Sequence, residues 1–485
     1  MDKKSWGELA FVLAIFLVML AFFSEVHPIV LYDGDDWEGL SRQRTIAFPK
    51  WHDHNPIKVL PESLMPLVAP LAAYFVMPIL GDFVSSVTLV SAVILSAFIA
   101  LYVYLFCKVM EQRFSLEPWT ACVLALMFLA FHFLVFRHGN YDNHYLFGSP
   151  DLTCYFHYTI PALWNISLVL FFLWREIPGT RRIEGRRWQD CLLVLVLYLA
   201  LCSSVLHNII FMAYISVEFF WRIRKWSKQR FYIGLLAAWF IILLFEGMGG
   251  RAGQMEIPLM ELPVGQTFYS LMHVLFQNNK GILTMLAFAV IFLGSSLAIY
   301  WRRREKDAVD IAWREGQLKF LACAFIWSAY EVLVCARAGG IYIDRPDVTI
   351  GLFFYLFFLM FSAAAYVFHR KPGMMVVLPI LAFVVSCRTI NAQQSLVEST
   401  MGRVPSVISA EISRDIIAQV QKAEADGAKE MELRVPKGDD HDNWPHPNYM
   451  GPAVSRLLYG QGLIPYPIKI TIVPDAGMNE QYGIR

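Results

Sequence analysis

The chain has 485 residues, 57% of them hydrophobic and 15% aromatic, with only 17% charged. A soluble domain carries about 25% charged residues, so this composition and a mean hydropathy of +0.47 exclude an ordinary soluble protein and point to a polytopic, all-α membrane protein. The net charge of +1 provides no electrostatic footprint for nucleic acid.

Lys3 and Lys4 precede a first span at 8–31, read as a retained helix rather than a removed signal peptide, and they place the N-terminus in the cytoplasm by the positive-inside rule. Asp33-Gly34-Asp35-Asp36-Trp37 follows and opens an outer loop, 32–82, that stays polar through Arg42, Arg44, His52, Asp53, His54 and Lys58. Within it, 62–80 is apolar but carries Pro66, Pro70 and Pro78, with Pro61 just before. Proline removes donors and kinks helices, so this part reads as short interfacial helices and not as a crossing. Further spans are expected at 83–107, 118–136, 158–174, 191–206, 207–222, 231–245, 281–301, 318–336, 347–368 and 374–388, which makes about 11 crossings. The basic clusters at 175–187, 222–230, 302–304 and 369–371 all fall inside under this topology. Spans 191–206 and 207–222 meet at Leu206-His207-Asn208 without a real loop, and short helices with polar turns at membrane depth line cavities.

After Arg388 the chain becomes polar. A helix near 404–427, a strand near 430–435, a helix near 450–459 and a strand near 467–473 describe a small α/β domain over 389–485. The odd span count puts it outside the membrane, beyond a transmembrane domain over 1–388. The eight cysteines fall mostly in apolar runs without metal-ligand spacing and read as small buried hydrophobes.

The polar clusters gather on the predicted outer side. They are Asp33, Asp35 and Asp36; the loop 137–157 with His138, His144, Asp151 and His157; His207-Asn208; Glu246 and Arg251; and Arg337, Asp344, Arg345 and Asp347. Charged groups that converge from separate spans suggest an outward-opening cavity. Paired carboxylates suit general-base work. Asp35 and Asp36, adjacent in an extended loop, face opposite ways. Arginine's planar fork at Arg345 suits a phosphate, with Lys58, Arg337 and Arg251 as further candidates. No zinc pattern and no glycine-rich nucleotide loop occurs. A divalent cation at the acidic cluster with His52, Asp53 and His54 is chemically allowed, but no metal and no cofactor is expected.

A first span, an outer loop opening on Asp35-Asp36-Trp37, interfacial helices, many spans and an outer tail with Trp444-Pro445-His446-Pro447-Asn448 together resemble the GT-C glycosyltransferases. Within these the layout is most similar to bacterial multispan transferases of surface polysaccharide or teichoic-acid-type glycans, including O-antigen glucosyltransferases. The resemblance implies a bacterial plasma-membrane enzyme. It would move a sugar with inversion from an undecaprenyl-phosphate-linked donor to a surface-glycan acceptor, next to membrane lipid and without nucleic acid. It also implies that Asp36 or Asp35 is the base, with Asp36 placed first and Asp33 leaving the choice open. Arg345, then Lys58, would stabilise the departing phosphate, and His144 and His207 would bind sugar or phosphate oxygens. Two competing readings are a transporter or flippase for a lipid-linked glycan, which needs ionisable residues near the bilayer midplane, and a membrane scaffold, which leaves the acidic loop unexplained.

Overall fold

A computed structural model describes residues 3–484 apart from 43, 136–144, 177–186, 223–228, 251–257, 259–260, 277–279, 374–383, 386–387 and 389–403. The predicted span 374–388 therefore lies almost wholly outside the described residues. So do His144, His138 and Arg251.

The chain is a mostly α-helical, multi-pass membrane protein. Among the described residues eight helices are long and apolar enough to cross a bilayer, and three shorter apolar ones accompany them. In chain order the helices are α1 (Lys3–Ala21), α2 (Gly34–Ser41), α3 (Val59–Leu80), α4 (Phe83–Phe114), α5 (Pro118–Leu134), α6 (Leu152–Arg175), α7 (Arg187–Leu201), α8 (Val205–Trp221), α9 (Arg230–Gly247), α10 (Val264–Phe276), α11 (Lys280–Arg302), α12 (Ala308–Ala338) and α13 (Pro346–Arg370).

Helix α13 is the hub. Almost all of it is buried, and it packs against α4, α6, α8, α11 and α12. Gly351 makes the closest approach possible: a Cβ there would stand 2.6 Å from Trp327 Nε1 on α12 and 2.8 Å from Ile210 on α8. Phenylalanine fills the layer between α4, α5 and α13, with Phe106 and Phe128 stacked at 3.9 Å and Phe357 and Phe361 edge-on to Phe128.

Two expectations about the helices change. The proline-rich stretch is one helical run, Val59–Leu80, not separate pieces. Its prolines are absorbed by a 3-10 turn at Met65–Leu67, which takes Pro66 in its first turn, and by a π turn at Ala72–Val76; such local re-pairing lets a helix carry proline at membrane depth. By length and composition this run also suffices for a crossing. The junction of α7 and α8 is Cys202-Ser203-Ser204, so His207 and Asn208 lie in the first turn of α8 and not at the turn itself.

Beyond α13 the described chain resumes with α14 (Ser406–Ala425), β1 (Glu430–Pro436), α15 (Met450–Gly460), β2 (Lys469–Asp475) and α16 (Ala476–Tyr482). The strands pair in parallel, Glu430 with Lys469 through Pro436 with Asp475. Leu433, Val435, Ile470 and Ile472 are buried on alternate positions, as a half-buried strand requires. This segment sits on the membrane helices. Ser413 donates to the Leu31 carbonyl, Arg414 grips Asp82 at 2.9 and 3.0 Å, and α15 lies along α2.

Candidate functional site

The local sequence around the acidic cluster builds a helix start. Asp33 has extended backbone and accepts the Asp36 N–H at 3.0 Å, the role for which Asp is preferred at an N-cap. Gly34–Ser41 is therefore helical, and Asp35 and Asp36 stand about 100° apart on its first turn instead of alternating along an extended loop. Gly34 is needed for close packing: a Cβ there would meet Pro447 at 2.7 Å, and the Gly34 N–H donates to the Pro445 carbonyl.

That rotation divides the two aspartates. Asp36 is buried and anchored: Oδ1 accepts from Thr153 N at 2.7 Å and Thr153 Oγ1 at 2.9 Å, and Oδ2 accepts from Tyr32 N at 3.0 Å. Asp35 is exposed and lines a cavity of about 760 Å³. There the Tyr449 hydroxyl donates to Asp35 Oδ1 at 2.7 Å.

The cavity lies between α2, the 44–55 loop, the starts of α3 and α6, and α15. Of its cations, Arg44 is committed to the walls. Its five N–H groups go to the carbonyls of Ile46, Phe48, Asn55 and Pro56 and to Glu62, and a guanidinium has five in all. Glu38 takes Arg456 at 2.9 Å and Arg42 at 3.3 Å. Lys50 pairs with Asp53. Lys58 is buried at the cavity wall, with Nζ 3.2 Å from His157 Nδ1 and 5.7 Å from the centre of the Tyr158 ring. An ammonium only donates, so this contact puts the imidazole proton of His157 on Nε2.

The other sequence candidates lie behind this wall. Arg345 meets Asp347 in a two-point bond of 2.6 and 3.0 Å, and its guanidinium lies 4.5 Å from the Tyr158 ring. It does not line the cavity. His207 is buried with Nε2 2.8 Å from the Asp347 carbonyl and its ring edge-on to Tyr158, which makes it a support for Tyr158. Arg337 sits in the last turn of α12, outside the lining. His52, Asp53 and His54 do not join the acidic cluster, since His52 pairs with the Met248 carbonyl and Asp53 with Lys50.

The carboxylate that does join Asp33 and Asp36 is Asp151, which caps the start of α6 by accepting from Cys154 N. One oxygen from each of the three lies within 4.8 Å of the others, which makes them the group able to hold a metal ion among the described residues. Burial and the negative charges nearby hold Asp33 and Asp36 well above the usual carboxylate range, and burial pushes Asp151 up to about 6.

The sequence places His157 and Asp151 in the loop 137–157, and no local pattern in it marks Thr153, Tyr158, Tyr449 or Arg456. The one available signal was Asp33 as an N-cap before an acidic first turn. Comparison with family models, with curated proteins and with solved structures returns no match.

Proposed function

We propose that the protein is a glycosyltransferase of the GT-C type that moves a sugar from a polyprenyl-phosphate donor to a hydroxyl of a surface glycan. The observation that carries this reading is the cavity itself. In one cavity, beside apolar helices, it gathers a solvent-reachable carboxylate, Asp35, and the Lys58–His157 pair, in which the lysine is buried and the histidine half-buried. A lipid-linked phosphosugar needs these elements together: bilayer for the tail, cationic donors for the phosphate, and a base at the water boundary.

In the proposed reaction Asp35 takes the proton of the acceptor hydroxyl. Its oxygen attacks the anomeric carbon from the face opposite the phosphate, and the bond from that carbon to the phosphate oxygen breaks. The electron pair leaves with the polyprenyl phosphate, whose developing charge Lys58 and His157 stabilise. Tyr449 orients the base through its hydrogen bond, and Arg456 holds Glu38 beside it. Asp35 takes precedence over Asp36 because both Asp36 oxygens are already engaged with backbone and Thr153. The donor already contains the bond energy, so no nucleotide is required. The topology that accompanies this reading places the cavity and the tail on the extracytoplasmic face of a bacterial plasma membrane.

The test is to reconstitute the full chain with a panel of polyprenyl-phosphate sugars and a glycan acceptor and to measure released polyprenyl phosphate. Asp35→Asn lowers turnover by roughly 10²–10⁴-fold while donor binding persists. Release that Asp35→Asn leaves intact refutes the assignment. One observation favours the transport reading. Glu331 is buried within α12, and neither of its carboxylate oxygens meets a donor among the described residues; intramembrane acids of this kind mark ion or substrate paths. A transporter loses flux in Glu331→Gln, whereas transfer by the proposed enzyme is unaffected by it.

A further inference from the structure

Three carboxylates behind the cavity wall, Asp33 and Asp36 buried and Asp151 half-buried, take no part in the proposed transfer. Asp33 and Asp36 are wholly sealed from solvent, and Asp151 joins them from the far side of the sequence. Each is fixed before any ligand arrives. Asp33 Oδ1 is held by the Asp36 N–H, Asp151 Oδ1 by the Cys154 N–H, and Asp36 by Thr153 and Tyr32. The starts of two helices aim their N–H groups at this cluster, and a helix N-terminus favours an ionised carboxylate.

What the cluster lacks is a counter-charge. Among the described residues no lysine or arginine side chain is bonded to any of the three. Arg345, which attracts Asp151 from a distance, is committed to Asp347. Asp33 Oδ2 is sealed from solvent and meets no donor among the described residues. The strongest charges acting on that carboxylate, those of Asp36, Asp151 and Asp35, are all negative. A buried oxygen with no donor costs about 1–3 kcal/mol, more when charged.

We infer that Asp33, Asp36 and Asp151 bind one hard, oxygen-preferring divalent cation. All donors are carboxylate oxygens, which select such ions over softer metals. The 4.8 Å limit on their separations is about twice a Ca²⁺–oxygen bond of 2.3–2.6 Å. One Ca²⁺ is therefore of a size to be shared by all three carboxylates, whereas Mg²⁺, with bonds of about 2.0–2.1 Å, asks for oxygens closer together. Thr153, which grips Asp36, and Asp35, next to it on α2, both line the cavity. The ion ties the start of α2 to the start of α6 and thereby fixes one cavity wall. This inference does not depend on the transfer reading, because binding is measured without any sugar.

The experiment uses the full chain in detergent, stripped of metal by a chelator. Tb³⁺ is titrated and its luminescence is excited through the buried rings of Trp37 and Tyr32. Ca²⁺, Mn²⁺ and Mg²⁺ are then added as competitors, and thermal unfolding is recorded with each. One Tb³⁺ per chain, displaced by Ca²⁺, with a rise in the unfolding temperature, is the expected result. Asp33→Asn and Asp151→Asn each weaken binding at least tenfold. Asn caps a helix as well as Asp does, so each variant loses charge and keeps its helix start; if one misfolds, the other decides. Asp53→Asn, an acid of the cavity outside the cluster, binds as wild type. The inference is overturned if the folded wild-type chain shows no saturable binding, if no cation moves its unfolding temperature, if both cluster variants bind as wild type, or if Asp53→Asn loses as much as they do.

Discussion

The buried acids at the two ends of the helix bundle are treated differently. At the end where α8 and α13 finish and α12 begins, each is matched with a base. Glu218 on α8 takes Lys319 at 2.5 Å and Arg222 at 2.8 Å, and Asp310 takes Arg303, Arg370 and the Tyr366 hydroxyl. At the end where α8 and α13 begin, Asp347 has Arg345, but among the described residues Asp33, Asp36 and Asp151 meet no base, only backbone N–H groups and the Thr153 hydroxyl. Charges removed from water are retained when paired. The first end therefore reads as clasps that fix helix against helix, and the second as ligands kept ready for something the chain does not itself supply.

Substitutions sharpen that contrast. Glu218→Leu strands Lys319 without its partner inside the bundle, and breaking a buried pair by removing one member costs about 3–5 kcal/mol. Thermal unfolding in detergent is expected to show the full loss. Asp33→Asn, in metal-free buffer, leaves stability unchanged or raises it, since it removes a buried acid that has no basic partner among the described residues and keeps the helix cap. If both changes destabilise equally, the distinction between the two ends fails.

A smaller effect comes from His446. Its ring is buried edge-on to Tyr32 at 5.1 Å, neither nitrogen meets a partner among the described residues, and burial pushes its pKa down to about 3. The unfolded chain takes up that proton near pH 6.5 and the folded chain does not. The stability this neutral ring contributes is therefore complete above pH 6.5 and is lost as the pH falls toward 3, by about 1.4 kcal/mol per unit once well below 6.5. The unfolding free energy measured from pH 7.5 to 5.5 is expected to decline in the wild type and to lose this part of its slope in His446→Phe. An unchanged slope in the variant rules His446 out as the source.

How much of this was legible in the sequence depends on the range of the interactions. The apolar spans and the alternating strands of the tail are local patterns, and the elements near 404–427, 430–435, 450–459 and 467–473 stand where those patterns place them. The apolar pattern at 318–336 begins ten residues after the start of α12 because the first turns of that helix are polar. Its real signal was the Asp307–Asp310 capping box. The arrangement of Asp35 and Asp36 escapes for a related reason: only with Asp33 as a cap do the two stand around a helix rather than along an extended loop. The sequence offers Arg345 to a phosphate, but Asp347, two residues on, neutralises it. Nothing local could bring Tyr449, Arg456 and Thr153 to Asp35 and Asp36, since those contacts exist only after the tail and α6 have packed against α2.

The smallest expected effect tests what seats the tail, and it turns on two neighbouring residues. Arg414 grips Asp82 at 2.9 and 3.0 Å, but its side chain is 44% exposed and that of Asp82 29%. Water and salt screen such a pair, so Arg414→Ala is expected to cost no more than about 1 kcal/mol, and raising the ionic strength should imitate it. Ser413, one residue earlier, is buried and donates to the Leu31 carbonyl just before the acidic cluster. On the same helix Ile412, Ile416 and Val420 are buried as well. If the tail is held by this buried face, limited proteolysis of Arg414→Ala gives the wild-type pattern, and Ser413→Ala, which leaves a buried carbonyl short of its donor, loosens it more. Release of the tail by Arg414→Ala alone would mean that the seat is electrostatic, and the cavity wall formed by Tyr449 and Arg456 would then open with salt.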